Sequence, residues 1–161
     1  MALNAYLLLK GQKQGDIKGS VTQKGREGTI LVIAASHEIM APVGNAPGSG
    51  AAVGKIIHKP FVITKEVDKS SPLLYQAMVT NENITEWQLN FYAAGATGVE
   101  KNNYRVELIN ALITDIRFVM PDNKITELAK LNPYEEIEFV YQKITWTWLD
   151  PVITSGSNWT A

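Results

Sequence analysis

Asn132–Trp148 reads NPYEEIEFVYQKITWTW and is the densest β-forming stretch of the chain. Ile137, Phe139 and Tyr141 are apolar at every second position. After a slip of one residue, Ile144, Trp146 and Trp148 carry the alternation on. Aromatic and β-branched residues suit a pleated, half-buried surface, and a period of two marks a strand with one face on a core. The slip implies a bulge, or a strand that meets a core on one side and a partner on the other. So much apolar surface in one long strand places it centrally in its sheet.

Working outward, the segment before it supplies further strands. Tyr104–Phe118 reads as a long strand or a bent pair, with Tyr104, Val106, Leu108, Ile116 and Phe118 on one parity and Asn110 interrupting the row. Trp87, Leu89 and Phe91 form the inward face of another strand. So do Phe61, Ile63 and Val67 within Lys59–Val67, and Leu3, Ala5, Leu7 and Leu9 within Ala2–Lys10. Thr29–Ile39 has Leu31, Ile33 and Ala35 on one face and the smaller Val32, Ala34 and Ser36 on the other. A face without charge is a face that is covered or that lines a confined space. One helix is expected over about residues 71–80, where Ser71 can cap, Pro72 suits the first turn and Leu74, Ala77 and Met78 share a face. Asn81 tolerates the left-handed conformation that ends a helix.

Three stretches read as loop. Gly11–Gly28 is polar and rich in glycine, Ala41–Gly54 (APVGNAPGSGAAVG) has no packing face, and residues 150–161 are Pro/Gly/Ser-rich. The fold class that follows is mainly β, an antiparallel barrel or sandwich with about six or seven strands and one side helix. Residues 1–149 form a single domain and residues 150–161 a flexible C-terminal tail.

Composition excludes several functions. Cysteine is absent, which removes disulfides, thiolate catalysis and thiolate metal sites. A net charge of −1 points to no nucleic acid and no acidic membrane surface. The N-terminal apolar run is short and lacks a basic start, so no signal peptide is expected, and no membrane insertion either.

Motifs that carry chemistry are weak throughout. Gly48, Gly50 and Gly54 are spaced one residue too widely for a dinucleotide loop, and Gly54-Lys55 is followed by Ile56 where a phosphate loop needs Ser or Thr. His37 and His58 could join Glu38 or Glu66 around a metal, but neither sits in a spaced ligand motif. Glu135, Glu136 and Glu138 cluster, yet Glu136 and Glu138 point the same way along one strand rather than across a substrate. Lys55, Lys59, Lys65 and Lys69 surround Phe61, a pattern that single-stranded nucleic acid could use, but Glu66 and Asp68 interleave. No catalytic set, metal site or cofactor is expected, and the chain is read as not an enzyme.

Several segments taken together resemble the Hcp (haemolysin-coregulated protein) family. They are HKPFVITKEVDKSSPLLYQA (His58–Ala77), EWQLNFY (Glu86–Tyr92), FVMPDN (Phe118–Asn123) and LNPYEEIEFVYQKITWTW (Leu131–Trp148), and the likeness runs in order from Leu3 to about Trp148. The resemblance implies a structural subunit of the type VI secretion tube. Copies would close into homohexameric rings, and the rings would stack into a tube whose lumen can shelter effectors. It implies a spike-tip protein, a sheath and secreted effectors as partners. It also implies residence in the bacterial cytoplasm before firing, and then secretion without a signal peptide; no toxin domain is expected on this chain. On that reading Val32, Ala34 and Ser36 are candidates for the lumen. Val43, Gly44, Asn45, Gly48 and Gly50 are candidates for ring stacking, and Val140, Ile144, Trp146 and Trp148 for the subunit interface. The competing expectation is a monomeric β-barrel that binds nucleic acid or sugar.

Overall fold

A computed structural model describes residues 3–42 and 54–159. The first half holds β1 (Ala5–Gly11), β2 (Gly15–Ile17), β3 (Ile30–Val32), β4 (Ala34–Ser36), β5 (Ile39–Met40), β6 (Ile57–His58), β7 (Phe61–Glu66) and α1 (Ser71–Val79). The second half holds β8 (Ile84–Ala94), β9 (Glu100–Ile109), β10 (Leu112–Val119), β11 (Tyr134–Val140), β12 (Lys143–Leu149) and β13 (Val152–Asn158). All pairings are antiparallel. The larger sheet runs β13-β12-β9-β8-β1-β2, with β3 also on β1. The smaller runs β10-β11-β7-β4, and β5 and β6 form a two-stranded arm. The two sheets pack as a sandwich and neither closes into a barrel, so the mainly β fold with one side helix holds in its sandwich form.

The aromatic stretch is not one strand. β11 lies between β10 and β7 in the smaller sheet, and β12 lies between β13 and β9 in the larger. The slip in phase at Tyr141–Gln142 is a corner where the chain leaves one layer and enters the other. A period of two cannot separate a bulge from such a corner, because both shift parity by one. Each half is central in its own sheet. The chain changes layer in the same way at Ile33, between β3 and β4, and at Asn110, between β9 and β10. Asn110 has φ 51°, and the amide of Gln142 is the next corner's answer to it: Asn110 Nδ2 donates to Gln142 Oε1 at 2.6 Å, and the Gln142 N–H donates to the Ile109 carbonyl at 2.9 Å. Asparagine tolerates the left-handed region better than most residues, which suits it to a sharp turn.

The C-terminal segment is a correction. Val152–Asn158 is a strand, paired with β12 along its length from Leu149↔Val152 to Lys143↔Asn158. An edge strand exposed on both faces has no apolar row, so its Ser/Gly content reads as loop. Trp159 closes it, with its N–H donating to the Gln142 carbonyl at 2.8 Å.

The core lies between the sheets. Leu7, Leu9, Ile30, Ile63, Leu89, Leu108, Ile137, Phe139 and Ile144 are all fully buried there. Trp87 is at its centre, edge-on to Phe61 at 5.0 Å and to Phe139 at 5.6 Å between ring centroids. The helix seals one end with Leu74 and Ala77 buried, and Asn81 ends it at φ 52°. Ser71 does not cap it. Ser70 occupies that position, and the Ser71 hydroxyl turns inward instead.

The glycine-rich N-terminal loop is also more ordered than its composition implies. Arg26, only 8% exposed, lies 3.7 Å from the ring centre of Tyr92 and 4.7 Å from that of Tyr6, and it pairs with Glu100 at 2.7 Å. A desolvated cation over an aromatic face is worth about 2 kcal/mol, and Glu100 adds to it. Arg26→Ala is therefore expected to destabilise the chain by about 2 kcal/mol in urea unfolding, and Arg26→Lys to recover less than half, because an ammonium cannot stack flat between two rings.

Candidate assembly surfaces

The outward face of the smaller sheet follows from its register. Ala34, Thr64, Glu136 and Arg117 lie in one row across β4, β7, β11 and β10, and Ser36, Val62, Glu138 and Asp115 in the next. The alternate residues Ile63, Ile137 and Phe139 point to the core. In these two rows the face carries small, hydroxyl and charged side chains beside Val62, while Tyr134 and Val140 of β11 share its parity at either end. Arg117 pairs with Glu136 at 3.2 Å, while Glu138 and Asp115 oppose each other across the strands. Like charges in that position repel unless both stay hydrated. A cleft of about 340 Å³ opens at the end of this face beside Ser36, His37, Lys59 and Glu138.

Of the three lumen candidates, Ala34 and Ser36 lie exposed on this face. Val32 does not: it is 2% exposed and packs in the core, because the corner at Ile33 breaks the parity that would have joined it to Ala34. Among the described residues the sheet also has two unpaired edges that differ in length and chemistry. β10 spans Leu112–Val119, whereas β4 spans only Ala34–Ser36.

The four interface candidates do not form one patch. Ile144 is fully buried and offers no surface, and Trp146 packs against the core with only part of its ring exposed. Val140 is half-buried opposite Leu112. Trp148 is 44% exposed and lies opposite Tyr104 and Ile153, with its indole N–H donating to the Asp150 carbonyl at 2.9 Å. A second exposed apolar group escaped the strand reading. Phe118 and Met120 at the end of β10, with Ile125 and Leu131 beyond, are each about half exposed or more. Phe118 sits on the core-side parity, opposite Glu135, but on the edge strand of its sheet. The stacking candidates Val43, Gly44, Asn45, Gly48 and Gly50 lie outside the described residues.

Two buried polar clusters absorb the residues that looked chemical. Glu135 is 1% exposed and faces the opposite side from Glu136 and Glu138. Its carboxylate accepts from Ser71 and lies 3.6 Å from Lys65 Nζ, which also meets Asp68 at 3.1 Å and donates to Ser71 at 3.0 Å. Burial alone would raise Asp68, but the hydroxyl of Ser70 and the charge of Lys65 outweigh it and hold the carboxyl below its ordinary value. Neither histidine meets Glu38 or Glu66. Glu38 pairs with Lys59 at 3.2 Å, and both imidazoles turn to Tyr141.

That second cluster contains a serine and a histidine in contact, Ser157 and His58 at 3.0 Å. The third member is the Tyr141 phenol, 2.9 Å from His58 and raised by burial, so it stays neutral. The third member is therefore a neutral phenol and not the carboxylate that supports the imidazolium in a Ser–His–Asp triad. Burial also lowers both histidines, His37 further through its proximity to His58. Among the described residues no set of three His, Cys, Asp or Glu converges as metal ligands.

This arrangement of sheets and faces has relatives. A family model described as "Type VI secretion system effector, Hcp" matches residues 6–148. The "Major exported protein" of Pseudomonas aeruginosa is 36% identical over 167 residues, covering 98% of this chain and 95% of that one. A doubly substituted Hcp1 from E. coli EAEC 042 superposes with a TM-score of 0.85 at 35% identity, covering 98% of this chain and 99% of that one. The secreted protein Hcp3 from Pseudomonas aeruginosa superposes with a TM-score of 0.77 at 30% identity, covering 96% and 99%.

Proposed function

The chain belongs to the Hcp family of type VI secretion proteins, and on that premise we propose that it is the structural subunit of a secretion tube, six copies closing into a ring and rings stacking end to end. The smaller sheet is the observation that carries this reading. A rotational ring needs two different patches that fit each other, and among the described residues this sheet ends in two different edge strands, β10 and β4. Backbone pairing of β10 on one copy with β4 on the next continues the sheet around the ring. The outward face with Ala34, Ser36, Thr64 and Val62 then becomes a lumen wall, small and hydrated enough to shelter folded effectors without gripping them. Its charges, Glu136, Glu138 and Asp115 against Arg117, disfavour a polyanion and so weigh against a nucleic-acid barrel. Trp148, Ile153 and the Phe118–Leu131 group provide apolar area toward the ~1,000 Å² that a stable contact buries.

In this role the subunit is made in the bacterial cytoplasm, meets a sheath outside and a spike at the tip, and leaves the cell with its cargo. Residues 43–53 remain the proposed contact between stacked rings. Sedimentation of the native chain is expected to give a closed oligomer of the 17.8 kDa subunit, with rings visible in projection images. A strict monomer at every concentration would overturn the reading.

A further inference from the structure

Four side chains from four separate parts of the chain form one hydrogen-bonded chain, with two imidazoles meeting at the Tyr141 oxygen and Ser157 joined through one of them. His37 Nε2 lies 2.7 Å from the Tyr141 hydroxyl, His58 Nδ1 lies 2.9 Å from the same atom, and His58 Nε2 lies 3.0 Å from Ser157 Oγ. His37 follows β4, His58 ends β6 in the β5–β6 arm, Tyr141 marks the corner between the sheets, and Ser157 is on β13. Aromatic packing closes the group: His37 stacks on Phe61 at 5.2 Å, His58 stacks on Trp159 at 5.7 Å, and Trp159 stands edge-on to Tyr141 at 4.8 Å.

The protons at this oxygen can be counted. A phenol donates one hydrogen and accepts through its lone pairs. With both imidazoles neutral, one ring N–H donates to the oxygen and the phenol donates to the bare nitrogen of the other. One added proton is accommodated by the same pattern, since the charged ring donates and the neutral ring still accepts. A second is not. Two imidazolium N–H groups then point at one oxygen, the phenol hydrogen has no acceptor, and two like charges face each other across it.

We propose that His37, His58, Tyr141 and Ser157 form a proton-sensitive latch, which holds the β5–β6 arm and β13 to the corner between the sheets at neutral pH and releases both in mild acid. The charges around it do not offset the second proton. On the His37 side, Glu38 is committed to Lys59 and Glu138 lies across the cleft on the outward face; on the His58 side, Lys59 follows it in the chain and Lys143 of β12 stands opposite Asn158, next to Ser157. Among the described residues neither ring forms an ion pair with a carboxylate. Folded-state values below the ordinary one mean that the latch holds fully above about pH 6.5 and weakens as the pH falls through the lowered values.

Hydrogen exchange on the intact native chain tests this. After correction for intrinsic rates, protection of the β13 and β6 amides is expected to fall about tenfold or more between about pH 7.5 and about pH 5, while β8 and β9 stay protected. In the double variant His37→Gln/His58→Gln that pH dependence is expected to vanish. Equal protection of β13 at the two pH values in the native chain would overturn the latch, as would the native pH dependence persisting in the double variant. A second reading needs no variant. Imidazole chemical shifts in the native chain are expected to move in two separated steps, both below the ordinary histidine value; two independent titrations at the ordinary value would overturn the proposal equally.

Discussion

Lys65→Met is expected to cost roughly 3–5 kcal/mol at neutral pH, measured as a lower urea midpoint with an unchanged slope. The lysine is fully buried and is the cation shared by Asp68 and Glu135. Removing it leaves Glu135, itself 1% exposed, as a buried carboxylate with no positive partner. One of the Glu135 oxygens, Oε2, makes no hydrogen bond to any of the described residues even in the intact cluster, so the anion depends on Lys65 more than on its neighbours. Charge, not volume, dominates the loss, because methionine fills nearly the same space. Lys65→Met combined with Glu135→Gln is therefore expected to recover most of the stability, since the uncompensated charge is gone. The sign with pH also follows. Asp68 is held below its ordinary value, so its contribution is present above that value and is lost as the pH falls through the lowered one. The single variant has less of this contribution to lose in acid.

Trp87→Ala is expected to cost about 3–5 kcal/mol, the range for truncating a large aromatic ring in a packed core. Trp87 is 1% exposed and wedged edge-on between Phe61 of one sheet and Phe139 next to it, so alanine leaves a void that the layers cannot close. Its indole N–H has no hydrogen-bond partner among the described residues. Packing therefore carries the whole contribution, and Trp87→Phe is expected to cost under about 2 kcal/mol, because it removes an unsatisfied donor together with part of the ring. Thermal unfolding of the two variants side by side separates ring volume from the polar atom.

The apolar alternation of β8, β11 and β12 was legible because each has one face on the core and one off it. The helix was legible from Pro72 and the spacing of Leu74 and Ala77. The corner at Asn110 showed as an interruption in an apolar row. What the pattern could not show was where the chain changes layer, since Val32 and Ala34 keep parity in sequence across Ile33 but part in space. β13 was hidden because Val152–Asn158 has no buried face. Lys65 sits on the inward parity between Ile63 and Val67, and a charge in that row was a readable sign of a buried ion pair. Val67, given an inward place, lies beyond the end of β7 and is 48% exposed. The meeting of His37, His58 and Tyr141 spans 104 residues of chain and leaves no local trace.

The described chain passes from one layer to the other four times, at the corners Ile33, Asn110 and Tyr141–Gln142 and through the helix between β7 and β8. A laminate glued only by side chains can shear or delaminate under load, one ply sliding over the next. Here slippage would have to stretch peptide bonds, so a push delivered to either ply is carried into the other along the backbone itself. A hollow rod made of such units would resist being crushed from its end even where its oily filling is thin.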